Sequence, residues 1–383
     1  MFTRDLLPPK SASFLFGPRG TGKSTWAHRM LPDAWFVNLL LAEEVLRYER
    51  RPAEFRARVL ALPKDRWIVI DEVQRVPGLL DEVHYLMEEK GHRRFLLTGS
   101  SARKLKRGAA NLLAGRAVLK QLFPLTTHEL GGGTRVEQLL HYGALPMSVT
   151  APGDAEREAY LRAYVTVYLS EEIRAEGLVR NLGSFSRFLE VAALAAGQVT
   201  NVSGIARDAA VARETARGYF EILVDTLVGS WLPAWRPRAR VKEVALPKFY
   251  WFDPGVLRAA ARGFDDSLPA DFQGVALEHL VLHEIRAHLH YAGVKGTLGY
   301  WATPAGTEVD FVWSLGARTV GIEVKHARQW RSDFNKGLKA LSEARSAETW
   351  CVYRGEDELL IDGTRVVPVE TFLRRLHAGE VLA

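Results

Sequence analysis

Residues 17–25 read Gly17-Pro18-Arg19-Gly20-Thr21-Gly22-Lys23-Ser24-Thr25, which fits G-x-x-x-x-G-K-[ST]. The residue types suit a polyphosphate. Glycines let backbone N–H groups turn inward around phosphate oxygens, and a helix N-terminus just after them favours the anion. Lys23 then reaches the β- and γ-phosphates of ATP, and the Ser24 hydroxyl ligates Mg²⁺. All nine residues are candidate nucleotide contacts.

Hydrolysis needs an acidic partner, and Trp67-Ile68-Val69-Ile70-Asp71-Glu72 supplies one. Asp71 is placed to hold Mg²⁺ through water, and Glu72 to polarise the attacking water. A third run, Phe95-Leu96-Leu97-Thr98-Gly99-Ser100-Ser101, ends in hydroxyls. In an open parallel sheet, ligands sit beyond the carboxyl ends of strands. Thr98, Ser100 or Ser101 is therefore expected at the γ-phosphate or the lytic water, with Ser100 the choice among them. Arg116, in Leu113-Ala114-Gly115-Arg116, is the candidate arginine finger, supplied within the chain or from another copy.

A second constellation lies near the C-terminus. Glu308 to Trp313 and Thr319 to Lys325 alternate polar and apolar residues and read as a hairpin. Glu323 and Lys325 are two apart and share a face. With Asp310 across from them, two carboxylates can hold a second Mg²⁺ or Mn²⁺ while the lysine orients a water. Glu278, on a preceding helical pattern, can add a ligand. The histidines show no ligand spacing, because no Glu stands in the HExxH position between His279 and His283. They are expected mostly at the surface.

These groups need elements to position them. Ser13 to Phe16 reads as a strand entering the Gly-rich loop, Ser24 to Met30 as a helix leaving it, and Ile68 to Ile70 as a buried parallel strand. Gly131-Gly132-Gly133 reads as a joint. Tyr160 to Ile173 follows as a core-facing helix ended by Glu171 and Glu172. Residues 184–230 read as a helix-turn-helix, with helices at Phe185–Ala195, Gly204–Ala210 and Ala212–Leu227 and the second capped from Asn201. Arg207, Arg213 and Arg217 lie near its turn, and Trp235 to Lys242 reads as a basic wing that serves DNA or structure alone.

Charge is locally concentrated. The chain has 51 Lys+Arg against 45 Asp+Glu, a net +6, yet Arg93 to Lys120 holds eight basic residues and no acidic one. That block suits nucleic-acid phosphate, a neighbour's nucleotide, or plain solvation. No run is long enough for a membrane span. Met1 to Lys10 lacks the apolar core of a signal peptide. The single cysteine, Cys351, excludes an internal disulfide. A cytoplasmic location is the expectation.

Taken together, these segments resemble the prokaryotic AAA+-type P-loop ATPases that carry a C-terminal DUF4143 domain. The markers are GPRGTGKST, WIVIDEVQRVPGLLDEVH, FLLTGSS, LLAGRAVLKQLFPLTTHEL, YFEILVDTLV, KFYWFDPGV, and EVDFVW followed by IEVK. The resemblance spans nearly the whole chain. It implies an α/β chain of three parts: an AAA+ parallel-sheet domain (1–130), a helical lid with a winged helix (131–245), and a restriction-endonuclease-like α/β domain of the PD-(D/E)XK type (246–383). It further implies that Asp71 and Glu72 are the Walker B pair and that Asp310, Glu323 and Lys325 form a nuclease-type triad. ATP, Mg²⁺, DNA and further copies of the chain are the expected partners. The family helix often reads Glu-Asn where this chain has Glu278-His279, and no second sensor arginine is evident.

Overall fold

The apolar runs that end in chemistry become parallel strands. In the computed structural model β1 (Ser13–Phe16), β2 (Trp35–Asn38), β3 (Ile68–Asp71), β4 (Phe95–Gly99) and β5 (Val118–Gln121) form one sheet ordered β2-β3-β4-β1-β5. Every neighbouring pair in it is parallel. The structure describes residues 2–88, 91, 94–100, 116–131, 135–170, 182–236, 246–266, 268–303 and 306–383. Most of the basic block, Ser101, Gly132, Gly133, Glu171, Glu172 and residues 237–242 of the basic wing lie outside the described residues.

Strands β1, β3 and β4 are buried along their whole length. A strand covered on both faces gains from apolar residues at every position, so these runs are continuous rather than alternating. Helices α1 (Lys23–Met30), α2 (Ala42–Arg50), α3 (Pro52–Leu60) and α4 (Leu79–Glu88) accompany the sheet. Phe55, Val83 and Leu86 pack with Phe14, Ile70 and Phe95. Because β4 lies between β1 and β3, the carboxyl ends of the three strands stand side by side. Residues 1–124, with 225–227, form one compact unit, and 125–224 with 228–383 form another.

The second unit begins with α5 (Val136–Tyr142), α6 (Pro146–Thr150) and α7 (Asp154–Ala163). The last runs on into a single π-helical turn, Tyr164–Tyr168. Leu161, Tyr164, Val165, Tyr168 and Leu169 belong to the core, as their spacing predicts. Three helices follow, α8 (Leu182–Leu194), α9 (Val202–Asp208) and α10 (Arg213–Asp225), and then the antiparallel pair β6 (Gly229–Leu232) and β7 (Lys248–Trp251). Asn201 caps α9, its side-chain oxygen accepting from Gly204 N at 3.1 Å. Helix α11 (Pro254–Ala260) is capped by Asp253, whose Oδ1 accepts from Val256 N (3.0 Å) and whose Oδ2 accepts from Ala144 N (2.7 Å). Gly143 makes that approach possible: its φ is +68°, and a Cβ there would lie 1.9 Å from Asp253 Oδ1.

The long α12 (Phe272–Tyr291) leads to β8 (Thr297–Ala302), β9 (Glu308–Leu315) and β10 (Arg318–Lys325). Then come α13 (Lys336–Ala344), β11 (Glu348–Tyr353), β12 (Leu359–Ile361), β13 (Thr364–Pro368) and α14 (Val369–His377). The sheet order is β12-β13-β11-β10-β9-β8, with β10, β11 and β13 mutually parallel and the others antiparallel. Helix α12 is packed by α5, α11, α14 and β10, and so buries polar residues as well as apolar ones. His279, His283 and His288 are all buried, against the expectation of surface positions. Each ring has a nitrogen bonded to a backbone carbonyl: His279 to Val275, His283 to Leu125, His288 to Leu382.

Candidate nucleotide site and a second acidic cluster

The Gly-rich loop joins β1 directly to α1. Gly20 and Gly22 have φ of +82° and +89°, the left-handed conformation that glycine adopts without steric cost. Gly17 is excluded from having a side chain by a different neighbour: a Cβ would lie 2.4 Å from the carbonyl oxygen of Leu122. Thr21 closes the loop by donating from Oγ1 to Pro18 O at 2.9 Å. Lys23 is buried and folds back on the loop, donating to Gly17 O (2.8 Å) and Pro18 O (3.2 Å). Arg19 and Thr25 are exposed at the rim.

The acidic partner is in contact with this loop. Ser24 Oγ donates to Asp71 Oδ2 at 2.7 Å, while Thr98 Oγ1, from β4, donates to Asp71 Oδ1. Glu72 follows with φ +57°, ψ +49°, a conformation costly for a residue with a side chain and concentrated at functional sites. Its Oε2 accepts from Gln74 Nε2 and, at 3.4 Å, from Ser100 Oγ; Gln74 also donates to Ser100 at 3.3 Å. Gly99 leaves the room for this, since a Cβ there would lie 2.6 Å from Gln74 Oε1. Lys23, Ser24, Asp71, Glu72 and Ser100 are thus gathered at the strand ends. Arg116 is not among them: it pairs with Glu88 at the surface.

Two residues of this site escaped sequence reasoning. Gln74 sits in Asp71-Glu72-Val73-Gln74 and could have been found from its fixed distance to the acids. Arg4 carries no motif at all. Its Nη1 donates to Thr21 O (2.8 Å), and its Nη2 to Phe123 O (2.6 Å) and Pro124 O (3.5 Å). The N-terminal segment is further tied to α1, Trp26 Nε1 donating to Leu6 O at 3.2 Å.

The C-terminal constellation is also brought together. The β9–β10 register pairs Ile322 with Phe311, so its next step sets Glu323 opposite Asp310 on one face. Asp310 Oδ2 accepts from Val324 N at 2.8 Å, and Lys325 pairs with Glu323. Glu278, on α12, accepts from Tyr250 OH at 3.1 Å. Lys248, from β7, is buried and pairs with Glu308; sequence reasoning gave it no part here.

Burial, with the Asp310 charge beside it, pushes the Glu323 carboxyl up to about 8. The same two causes raise Glu278 well above the usual carboxylate range. For Lys325 burial pulls downward, but Glu323 and Asp310 outweigh it and raise the ammonium. Among the described residues no three His, Cys, Asp or Glu side chains are disposed to share a metal ion. Glu323 Oε2 is buried with no hydrogen-bond partner among the described residues.

The parallel sheet, the loop after β1 and the acids after β3 define a P-loop ATPase-like domain. Three family profiles match in succession: an AAA domain over residues 9–131, a domain of unknown function (DUF8612) over 133–267, and a domain of unknown function (DUF4143) over 273–372. Two mycobacterial proteins, Rv2008c of Mycobacterium tuberculosis and Mb2031c of Mycobacterium bovis, both described as uncharacterized, are 30% identical to this chain over 322 residues. The match covers 82% of this chain and 71% of each relative. The chain belongs to this family of P-loop AAA-domain proteins with a C-terminal DUF4143 domain. Among solved structures, the Walker-type ATPase PABY2304 of Pyrococcus abyssi matches with 15% identity and a TM-score of 0.44, over 65% of this chain and 90% of that one. No helix among the described residues is long and apolar enough to cross a membrane.

Proposed function

We propose that this protein binds and hydrolyses ATP with Mg²⁺. The observation that carries the reading is the 2.7 Å contact from Ser24 to Asp71, which ties the Gly-rich loop to the acidic strand end. Ser24 and Asp71 fit the metal's first and outer ligands, and Mg²⁺, when bound, would neutralise charge on the phosphate oxygens. Lys23 exchanges the carbonyls of Gly17 and Pro18 for the β- and γ-phosphates. The loop's backbone N–H groups take the remaining oxygens. Glu72 accepts a proton from the attacking water, held in place by Gln74 and Ser100. Arg116 leaves Glu88 to reach the γ-phosphate, from this chain or from a neighbouring copy in an oligomer or ring. Phosphate release by wild type, Lys23→Ala and Glu72→Gln tests this. Lys23→Ala should lose ATP binding, and Glu72→Gln should bind ATP but turn over slowly; normal turnover by Glu72→Gln would overturn its role.

The energy is proposed to move a DNA-binding part. Helices α8 to α10 with the β6–β7 pair have the element order of a winged helix, and Arg207, Arg213 and Arg217 are exposed on it. DNA affinity that falls steeply with salt supports phosphate contacts; weak, salt-insensitive binding favours a nucleotide-gated protein-docking role instead.

A second reading is an ATP-driven, metal-dependent nuclease. The facing Asp310 and Glu323, with the unmatched Glu323 oxygen and Lys325 alongside, favour it. It requires Mg²⁺- or Mn²⁺-dependent cutting that is lost in Asp310→Ala or Lys325→Ala. Wild type that never nicks DNA with either metal excludes it.

A further inference from the structure

The loop that opens the second unit is shaped by its own residues. Glu129 N donates to Thr126 Oγ1 (3.2 Å), and Thr126 N donates to Glu129 Oε2 (3.0 Å), a reciprocal box that buries both side chains. Between them, Thr127 N donates to Oε1 of Glu284 at 2.7 Å. The other oxygen of that carboxylate lies 2.6 Å from Nε2 of His377, in the last turn of α14. Glu284 is wholly buried. A carboxylate leaves water at this cost only where donors replace its hydration. That contact fixes the orientation of the His377 ring. His128 stacks on that ring, with centroids 5.4 Å apart.

Beside this assembly opens a cleft of about 580 Å³. Val136 and Leu373, both buried, wall it, while His128, Arg374 and His377 edge it and Glu370 is its acidic rim residue. Arg374 and His377 are three apart on α14 and so share a face. Arg375 is engaged by Glu358 and Glu380. Arg374 donates to Thr371 Oγ1 at 3.2 Å and forms no ion pair among the described residues. Its fork therefore retains donors at an exposed mouth.

We propose that this cleft binds a small organic anion, a carboxylate or phosphate monoester carried on a flat or branched apolar body. The apolar walls take the body, and the Arg374 guanidinium takes two anion oxygens, which its planar fork matches. The imidazoles of His128 and His377 flank it. A mostly apolar pocket with a few converging polar groups is the usual form of a small-ligand site. The proposal shares no residue with the nucleotide site and stands apart from the ATPase reading.

The test is calorimetric titration of the full chain with benzoate, phenyl phosphate and neutral benzyl alcohol, in the Lys23→Ala background so that phosphate cannot occupy the Gly-rich loop. Saturable binding of at least one anion in the millimolar range or tighter is expected. Benzyl alcohol should bind at least tenfold more weakly. Arg374→Met should weaken the anion tenfold or more, and His128→Gln severalfold. In the otherwise wild-type chain, neither substitution should change ATP turnover. Absence of saturable binding by both anions overturns the proposal. So does equal binding of the alcohol, or titrations that Arg374→Met and His128→Gln leave unchanged.

Discussion

Ser24 and Asp71, 47 residues apart in sequence, meet at 2.7 Å through a hydroxyl and a carboxylate. The contact joins the first turn of α1 to the end of β3. In the proposed reaction the two act as one unit on the metal side of the nucleotide. Ser24→Ala and Asp71→Asn should each weaken Mg²⁺-dependent ATP binding about tenfold or more. Because the residues touch, the double variant should fall short of the sum by roughly 0.5–3 kcal/mol. A double-mutant cycle in nucleotide titrations, with and without Mg²⁺, measures this; strict additivity would separate the two roles.

In the proposed reaction Gln74 holds Glu72, the general base, rather than touching substrate. Its amide donates to Glu72 and Ser100, while Glu72 sits in the left-handed region. Gln74→Leu should lower kcat by roughly ten- to a hundredfold, less than loss of the base itself, which is worth about 10²–10⁴. KM for ATP should hardly move. A change confined to KM would show that Gln74 shapes binding instead.

Arg4 should behave in the opposite way. It fixes Thr21 O and the chain at Phe123 and Pro124, and so the shape of the Gly-rich loop. Arg4→Met should raise the ATP dissociation constant several-fold with a smaller effect on kcat at saturation. It should also cost about 1–3 kcal/mol of stability, because carbonyls lose a charged donor. Parallel binding, turnover and unfolding measurements distinguish the two effects.

Asp253 makes stability depend on pH. Burial raises its carboxyl from 3.8 to about 6, outweighing the backbone N–H donors of Ala144, Val256 and Gly255. Between those values the folded chain keeps a proton that the unfolded chain has released. The associated stability is present in full below about pH 4 and is lost as pH rises through about 6. Asp253→Asn has no such proton to lose. The advantage of wild type over Asp253→Asn should therefore shrink by on the order of 3 kcal/mol between pH 4 and pH 7.5. Urea unfolding at the two pH values checks it, and a constant gap would place the folded-state value near the ordinary one.

Several elements were legible because their signal is local. Ser13 to Phe16 is a strand as read, since a four-residue apolar run before a Gly-rich loop has one good solution in a two-face-covered sheet. The hairpin carrying Asp310, Glu323 and Lys325 forms as its period-two pattern predicts. Asn201 caps its helix because a capping side chain reaches only two or three residues along. Other features had no such signal. The helix read over Tyr160 to Ile173 shows nothing in its pattern of the π-turn from Tyr164. The histidines of α12 looked like surface residues because polarity predicts exposure only where no other element packs against the helix.

The sequence alone determined which groups are available: a phosphate-cradling loop, an acid pair after a buried strand, and a charged triad on a hairpin, each written within a span short enough for spacing to carry geometry. The tertiary structure alone decided which of them meet. It set β4 between β1 and β3, turned Ser24 onto Asp71, brought Arg4 to Thr21 and Lys248 to Glu308, and buried Glu284 between Thr127 and His377. Side chains separated by tens or hundreds of residues acquire a distance only when sheets and helices pack, and periodicity carries no record of that distance.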